Sequence, residues 1–274
     1  MSKTGRNTII GQMVLITLML FTLMPLVSML STALQPAGTI PTGISWPTAP
    51  QWHNFIDAFN VANLATLLWS SILIILGVVP VSLLIATMAG YGLGVLRVRG
   101  GQVVFLLLLL GLTIPFESLI IPLYYQMSDL GLLNTRWALI LPLIGLFMPF
   151  SVFWMRTHFL SVPADITEAA SIDGANSWTA FLRIQIPLAI PALSALAVLL
   201  FLWTWNQFLL AIVLVDDPSK RTMAGALGAF QGQYGTDIVL LCAGSLLIMA
   251  PTILVFIIFQ RQFVKALLQG SVKG

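Results

Sequence analysis

The sequence is poor in charge and in the side chains that bind metals or form disulfide bonds. Only 8% of its 274 residues are Asp, Glu, Lys or Arg, whereas soluble globular domains carry about 25% charged residues. The single cysteine, Cys242, excludes an intramolecular disulfide, and His53 and His158 lack the spacing of a metal site. These deficits exclude a soluble enzyme, a disordered chain and a disulfide-bonded scaffold. The net charge of +3 fits loops facing a membrane better than a nucleic-acid binder.

Long apolar runs are what the chain has in abundance, since 58% of its residues are hydrophobic and the mean hydropathy is +0.99. A helix needs about 20 mostly apolar residues to cross a bilayer. The runs are continuous rather than alternating, which favours helices over a β-barrel. We therefore predict an all-α membrane protein with six transmembrane helices in a single domain, residues 1–274. The spans are predicted at about 9–34, 62–96, 103–127, 137–155, 184–215 and 238–259.

The placement of Lys and Arg predicts the orientation, because cytoplasmic loops carry the excess of these residues. With a cytoplasmic N-terminus, the inside segments hold Lys3, Arg6, Arg97, Arg99, Arg156, Arg183, Arg261, Lys265 and Lys273. The outside segments hold Arg136, Lys220 and Arg221. Both termini are then cytoplasmic, and the outer loops are 35–61, 128–136 and 216–237. The first run exceeds the core of a signal peptide and is interpreted as an uncleaved helix. The second and fifth runs exceed one straight span, which predicts tilt or a kink.

The connection between the fourth and fifth spans, residues 161–183, differs from the other loops because it has the pattern of helices. Asp165 and Glu168 have the spacing of a capping box. Gly174 is placed to end this first helix in a left-handed conformation, and Asn176 or the serine after it can cap a second one. The pattern predicts two short helices joined by a glycine corner beside the membrane.

All three cytoplasmic carboxylates, Asp165, Glu168 and Asp173, lie in this connection, on the side that otherwise favours positive charge. It is also expected to expose Ile166, Ile172, Trp178 and Phe181. Acidic residues with apolar neighbours on a protruding helix favour docking into a groove of a partner protein. The alternative is an amphipathic helix lying on lipid, although such helices usually carry Lys and Arg on their polar face.

The spacing here resembles the EAA motif of ABC importer permeases. Glu168-Ala169-Ala170 is followed after three residues by Gly174, after nine more by Ile184, and after one more by Ile186-Pro187. The family more often has leucine where Ile186 stands. The chain is most similar to the carbohydrate branch, and in particular to the smaller, six-span permease of the maltose-type importers. Further matching segments are Asp173-Gly174-Ala175, Ala89-Gly90-Tyr91-Gly92-Leu93, Ile121-Pro122-Leu123-Tyr124, Trp205-Asn206-Gln207-Phe208 and Val272-Lys273-Gly274.

The resemblance implies the type I ABC importer permease fold, with a coupling helix pair in residues 161–183, hereafter the coupling loop. It also implies a prokaryotic inner-membrane location and three kinds of partner: a second homologous permease, two copies of an ABC ATPase and an extracytoplasmic solute-binding protein. The chain has no Gly-x-x-x-x-Gly-Lys-Ser/Thr motif. We therefore expect no bound cofactor and no enzymatic activity, with ATP and Mg²⁺ used by the partner ATPase. The coupling residues implied are Asp165, Glu168, Ala169, Ala170, Asp173, Gly174, Ile184 and Pro187.

Polar side chains inside the apolar runs are candidates for a solute pathway, because they are costly in lipid and often functional. Glu117 is the only carboxylate well inside a predicted span. Sugars are recognised by amides, carboxylates and aromatic faces. The candidates are therefore Glu117, Tyr124, Trp203, Trp205, Asn206 and Gln207. The alternative is hydrogen bonding between helices or contact with the second permease, and in the resembled maltose system the larger permease holds most of the sugar.

The outer loop 216–237 is rich in glycine and amides. In the resembled family this loop reaches toward the binding protein, so candidate contacts are Gly228, Phe230, Gln231, Gln233 and Tyr234. The alternative is a plain solvated loop. The sequence as a whole predicts a permease subunit of a binding-protein-dependent ABC importer for a sugar or related solute. The rival hypotheses are an ion-gradient carrier acting alone and a membrane scaffold without a transport role.

Overall fold

A computed structural model describes residues 3–40, 43, 45–232 and 235–271, with side chains described for 11–40, 43, 45–230 and 236–261. The α-helices are α1 (Lys3–Ala33), α2 (His53–Val61), α3 (Leu64–Gly94), α4 (Gly101–Gly111), α5 (Ile120–Asp129), α6 (Trp137–Ser161), α7 (Ala164–Ile172), α8 (Ser177–Ala180), α9 (Ile186–Trp205), α10 (Leu209–Leu214) and α11 (Ile238–Ser271). Short 3₁₀ helices cover Phe116–Leu119, Pro218–Lys220 and Ala224–Phe230, and a π-helix covers Phe181–Gln185. Strands β1 (Gln231–Gly232) and β2 (Gly235–Thr236) form a small antiparallel pair. The all-α prediction is therefore confirmed apart from this pair.

Within the described ranges, five helical stretches are long and apolar enough to cross a membrane. They are Gly11–Ala33, Leu64–Gly94, Trp137–Ser161, Ser177–Trp205 and Ile238–Arg261. The fourth of these combines α8, the π-helix and α9. A sixth crossing is obtained when α4 and the segment Phe116–Asp129 count as one broken span, bent by 98°.

The predicted span 103–127 is thus not a straight helix, and Pro115 explains the break. Proline disfavours a helical conformation in the residue before it and has no N–H to donate. The backbone of Pro115 is extended, with φ −60° and ψ 130°, directly before the 3₁₀ helix Phe116–Leu119. Thr113, just before the break, donates its hydroxyl to the carbonyl of Leu110 at 2.7 Å.

The predicted span 184–215 is also interrupted, since α9 ends at Trp205 and α10 begins at Leu209. The carbonyl of Leu202 accepts from the backbone N–H of Asn206 at 3.1 Å and also from its side chain at 2.8 Å. The carbonyl of Gln207 accepts from the Thr222 hydroxyl, 15 residues along the chain. Side-chain bonds from Asn206 and Thr222 therefore stabilise this break. The other long run, α3, continues through 31 residues although it contains Pro80.

The chain forms two compact units, and the larger comprises the described parts of residues 66–225 and 252–274. Two buried clusters stabilise it, because apolar side chains of α3 and α6 meet those of the fifth predicted span. One cluster joins α3 and α6 to α10 and includes Ile74, Leu139, Leu143, Leu210 and Leu214. The other joins α3 and α6 to α9 and includes Ala86, Met155, Phe159, Phe181 and Leu196.

The smaller unit comprises the described parts of residues 1–65 and 226–251. The buried side chain of Asn54 on α2 donates to the carbonyls of Ala33 and Gln35, both at 2.8 Å, which fixes α2 against the end of α1. The ring of Phe230 lies so close to Gly244 on α11 that a Cβ there would be 2.5 Å from a ring carbon. Glycine at this position therefore permits the close approach.

Candidate functional site

The coupling loop folds as the predicted pair of short helices. α6 ends at Ser161, α7 follows Pro163, and Gly174 turns the chain with a φ of +83°. Glycine adopts this left-handed conformation without the steric cost that a Cβ brings. Asn176 caps α8, because its Oδ1 accepts from the backbone N–H of Thr179 at 2.8 Å.

Two details of the predicted loop are wrong. The residue before the first turn of α7 is Pro163, and no side chain caps this helix. Asp165 lies inside the first turn and not before it, so Asp165 and Glu168 do not form a capping box. In this position the negative charge of Asp165 interacts favourably with the positive end of the helix dipole. Phe181 is not exposed but 3% accessible, because it belongs to the buried cluster of α3, α6 and α9.

The surface of α7 combines acid with apolar side chains, as predicted. Glu168 and Ala169 are exposed, as are Asp165 and Asp173, whereas Ala170 is buried on the inner face. Among the described residues, none of the three carboxylates forms an ion pair. Three large apolar side chains, Ile166, Ile172 and Trp178, are exposed beside them, and Ile172 is 87% accessible. This surface has the composition of a docking site rather than of a solvated loop.

The two remaining residues of the motif, Ile184 and Pro187, lie on the helix that leads into the membrane and not in the loop. Ile184 is part of the π-helix Phe181–Gln185, and Pro187 is the second residue of α9. A proline ring clashes with the carbonyl four residues earlier in a regular α-helix. The wider π-turn directly before α9 relieves this clash. Ile184 and Pro187 therefore set where α9 begins.

Two partly buried hydrogen bonds join the coupling loop to the spans, and the sequence alone did not reveal them. The Tyr91 hydroxyl near the end of α3 donates to the carbonyl of Ser177 at 3.1 Å. The side-chain N–H of Gln185 donates to the hydroxyl of Thr167 on α7 at 3.0 Å. Tyr91 belongs to one of the segments that carry the family resemblance, but no spacing pattern connects it with residue 177.

A cavity of about 540 Å³ separates α7 from the ends of α3 and α6. Its wall includes Arg97, Phe159, Thr167, Glu168 and Gln185. Apolar packing is therefore sparse on this side of α7.

The close approach of α3 and α6 beside the coupling loop depends on Gly90. A Cβ at this position would lie 2.7 Å from the Cβ of Met155 and 2.9 Å from the backbone nitrogen of Arg156. Arg156 itself donates to the carbonyl of Leu93 at 3.4 Å, and its guanidinium lies 4.0 Å from the centre of the Phe105 ring. These contacts fix the ends of α3, α4 and α6 together.

The candidate pathway residues lie at or near the two helix breaks. Glu117 is exposed in the 3₁₀ helix after Pro115, and Tyr124 is exposed on α5. Asn206 and Gln207 form the break between α9 and α10, where Gln207 Oε1 accepts from the N–H of Leu210 at 3.5 Å. Non-helical backbone at membrane depth is tolerated where it is buried in protein or lines a water-filled cavity.

The two tryptophans of this set differ in position. Trp203 is 37% exposed and packs against Phe147 and Phe150, with ring centres 5.5 and 5.0 Å away. Trp205 is 2% exposed and stacks on Phe201, so its ring is not available to a solute in this conformation. None of the six candidates lines the three cavities of about 400, 450 and 540 Å³.

The outer loop 216–237 is more ordered in its first half than the glycine content suggests. Asp217 accepts from the N–H and the hydroxyl of Ser219, at 3.0 and 2.7 Å, and pairs with Lys220 at 3.3 Å. The hydrogen bonds from Ser219, followed by the charge of Lys220, hold the pKa of Asp217 below its ordinary value. The carbonyls of Val215 and Asp216 accept from Arg221.

The candidate binding-protein contacts occupy the second half of that loop. Gly228 lies in the 3₁₀ helix Ala224–Phe230, and Phe230 is 4% exposed, so its ring faces inward. Gln231 contributes backbone to β1. Gln233 and Tyr234 lie outside the described residues. Within the side chains that the structure describes, no group of three His, Cys, Asp or Glu residues could hold a metal ion.

The chain is similar to known transport proteins along most of its length. The profile of a family described as "binding-protein-dependent transport system inner membrane component" matches residues 82–269. The arabinooligosaccharides transport system permease protein AraQ of Halalkalibacterium halodurans is 36% identical over 255 residues, 91% of this chain and 91% of the relative. The diacetylchitobiose uptake system permease protein NgcG of Streptomyces coelicolor is 31% identical over 273 residues, 98% and 90% of the two chains.

A solved structure has the same fold. It is the crystal structure of a bacterial ABC transporter involved in the import of the acidic polysaccharide alginate. Its matching chain superposes with a TM-score of 0.78 at 23% identity, and the match covers 96% of this chain and 99% of that one. The type I permease fold expected from the sequence is thereby confirmed.

Proposed function

Because this chain belongs to the family of binding-protein-dependent transport system inner membrane components, we propose that it forms half of a carbohydrate pathway and couples it to an ATPase. The chain is a multi-pass membrane permease subunit of an ABC importer. An ion-gradient carrier acting alone is not favoured, since the matching family consists of components of binding-protein-dependent transport systems.

Docking of the ATPase is assigned to the coupling loop. The observation that carries this proposal is the exposed, unpaired Glu168 on α7, within the motif spacing and within the residues that match the family. A carboxylate without an ion pair among the described residues can pair with a basic group in a partner's groove. Ala169 beside it is small enough to allow close approach, and Gly174 sets the angle between α7 and α8.

The solute pathway is assigned to the two helix breaks. Glu117 presents a carboxylate at one break, Asn206 and Gln207 present amides at the other, and Tyr124 and Trp203 are partly exposed rings on the adjoining helices. This combination suits a sugar, whose hydroxyls need hydrogen-bond partners and whose faces stack on aromatic rings. The names of the relatives refer to arabinooligosaccharides and to diacetylchitobiose, which supports an oligosaccharide as the solute.

The assembly that follows from this assignment has four further subunits. A second permease supplies the other half of the pathway, and two copies of an ATPase bind beneath the pair and use ATP and Mg²⁺. An extracytoplasmic binding protein delivers the solute to the outer loops, including residues 216–237. The coupling loop and both termini are cytoplasmic, as the distribution of Lys and Arg favours.

The first experiment is affinity purification of the tagged chain together with its neighbours from a membrane extract. We expect the wild-type chain to retain a second permease and an ATPase, and the Glu168→Lys variant to lose the ATPase by at least about tenfold. Reversal of a charge in a docked pair replaces attraction by repulsion, which costs several kcal/mol at a close interface.

Asp129→Lys is the matched control, because Asp129 is an exposed carboxylate at the end of α5, away from the coupling loop. This variant is expected to retain both partners. Normal ATPase retention and normal uptake by Glu168→Lys would contradict the docking assignment. Transport by the purified chain alone in liposomes would contradict the subunit assignment.

A further inference from the structure

We propose that Tyr91 and Gln185 are positioning residues that fasten the coupling helices to the spans, so that a displacement of α7 and α8 moves α3 and α9. The proposal rests on the proposed function, because it needs a partner that displaces these helices. It goes beyond that function by assigning the transmission to two side chains that lie outside the docking surface.

Tyr91 connects α8 with α3. Its side chain is 4% exposed, and its hydroxyl donates to the carbonyl of Ser177, the first residue of α8. Its ring lies between two others, with centres 5.8 Å from Phe159 and 4.8 Å from Phe181. Aromatic contacts at these distances stabilise beyond the area they bury. The start of α8 is therefore held by one directed bond inside an aromatic cluster.

Gln185 connects α7 with α9. It is 1% exposed at the end of the π-helix, directly before α9, and its N–H donates to the hydroxyl of Thr167 in the middle of α7. Its Oε1 is buried and has no hydrogen-bond partner among the described residues. Burial of an unpaired amide oxygen is unfavourable, so an apolar side chain would be expected here if packing were all that the position required.

The cavity of about 540 Å³ explains why the bond to Thr167 matters. Around that space α7 has little to pack against on the ends of α3 and α6. A hydrogen bond fixes direction as well as distance, which apolar contact across a cavity does not. The bond from Gln185 to Thr167 is therefore a directed attachment of α7 to the membrane helix that follows.

The two bonds join different elements, and this decides what they transmit. Since α8 continues through the π-helix into α9 as one stretch, Ser177–Trp205, a shift of α8 moves the start of α9 directly, and the Tyr91 bond carries the end of α3 with it. A shift of α7 reaches the same stretch through the bond from Gln185 to Thr167. A typical intramolecular hydrogen bond contributes about 1 kcal/mol, equivalent to about a fivefold change in an equilibrium. Loss of either bond should therefore weaken the transmission without removing the docking surface, which lies on the exposed side of α7.

The test uses the complete importer reconstituted in liposomes, with solute uptake and ATP hydrolysis measured in the same sample. The variants are Tyr91→Phe and Thr167→Val, which remove one hydroxyl each and keep the shape of the side chain. We expect the number of solute molecules imported per ATP hydrolysed to fall about fivefold in each. The double variant is expected to fall about 25-fold, because the bonds have no residue in common.

Matched controls make the same chemical changes elsewhere. Tyr125→Phe alters an exposed tyrosine on α5, and Thr157→Val alters an exposed threonine whose hydroxyl donates only within its own helix, to Phe153. Both are expected to keep the wild-type ratio. Thr167→Ser retains the hydroxyl and should restore the ratio, which a general packing role of Thr167 would not explain.

Four outcomes are distinguishable. Ratios equal to those of the controls would overturn the proposal, and so would a parallel loss of uptake and of ATPase retention, because that would assign both residues to docking. A wild-type chain that retains no ATPase would instead refute the proposed function itself. A lowered ratio with normal ATPase retention and an unchanged Tm of the complex supports the proposal.

Discussion

The coupling loop and the two helix breaks use polar side chains in opposite ways. At the coupling loop, polar groups join elements far apart in sequence, as Tyr91 does with Ser177, 86 residues away. At the breaks, the side chains of the pathway candidates bond within four residues, as Asn206 does with Leu202 and Gln207 with Leu210. A longer bond there, from the Thr222 hydroxyl, ends on the backbone carbonyl of Gln207 and not on its side chain. The first arrangement fixes helices relative to one another, whereas the second holds each candidate side chain only to its own turn.

This difference matches the tasks assigned to the two regions. A structure that transmits a displacement must not yield, and long-range bonds with a buried aromatic cluster provide that resistance. A pathway that opens and closes around a solute must change its side-chain contacts at low cost. Local bonds and partly exposed rings, such as those of Tyr124 and Trp203, permit this change.

The largest effect is expected at Gly90, because the helix ends beside the coupling loop are held together by the contact of α3 with α6. Gly90→Ala places a Cβ 2.7 Å from that of Met155, and overpacking of this kind costs about 1–3 kcal/mol. Gly92→Ala is the matched control, since no atom lies within 4 Å of a Cβ there. It should be neutral or stabilise by up to about 1 kcal/mol, as alanine favours helix.

The measurement is thermal unfolding of both variants in detergent, together with ATPase retention. We expect a lower Tm for Gly90→Ala and a Tm at or above the wild-type value for Gly92→Ala. If both variants had the same Tm, the rigid contact between α3 and α6 would not be supported.

A change at Glu117 tests whether the helix breaks line the solute pathway. If its carboxylate binds the solute, Glu117→Gln removes a charge-assisted hydrogen bond and raises the KM for uptake about tenfold, within the range of such bonds. ATPase retention should not change, because Glu117 lies at the break and not on the coupling loop. Asp129→Asn also replaces a carboxylate by an amide, at the end of α5 in the same broken span, and is expected to keep the wild-type KM. Equal uptake kinetics in the two variants would assign Glu117 to a structural role.

Asp217 gives the smallest expected effect, because its carboxylate is exposed and stabilises only the outer turn beside α10. Its pKa is lowered in the folded chain by the hydrogen bonds from Ser219 and the charge of Lys220. Because this pKa is lowered, the Asp217 carboxylate stabilises the turn fully at any pH above its pKa in the unfolded chain, about 3.9. The stabilisation is lost as the pH falls through the lower pKa of the folded chain.

The check is hydrogen exchange at the Ser219 amide, compared between neutral pH and a pH below 4 after correction for the intrinsic rate. We expect protection to fall at the lower pH in the wild type and to be low throughout in Asp217→Asn. Asp216→Asn is the neighbouring control. Protection that is independent of pH in the wild type would show that this carboxylate does not order the turn.

Much of the fold could be predicted from the sequence, because apolar runs and helix-ending residues act locally. The glycine corner at Gly174 and the cap at Asn176 were correctly predicted for that reason. The third span was predicted as one run over 103–127, and the structure bends it by 98° after Gly111, because apolar composition alone does not show how far Pro115 turns the backbone. The prediction that Phe181 is exposed was wrong, because the sequence did not show that this ring packs into the buried cluster of α3, α6 and α9.

The class of the protein, the membrane runs and the coupling motif follow from composition and from spacing along one helix, so they could be predicted from the sequence. Which polar side chains hold the coupling helices depends on packing between helices, because Tyr91 with Ser177 and Gln185 with Thr167 meet only when α3, α6 and α9 pack together. The same packing leaves Trp203 partly exposed while Trp205 is buried. Trp203 and Trp205 are two residues apart on α9, so their rings lie on different faces of the helix. The neighbouring helices determine which of these faces is buried.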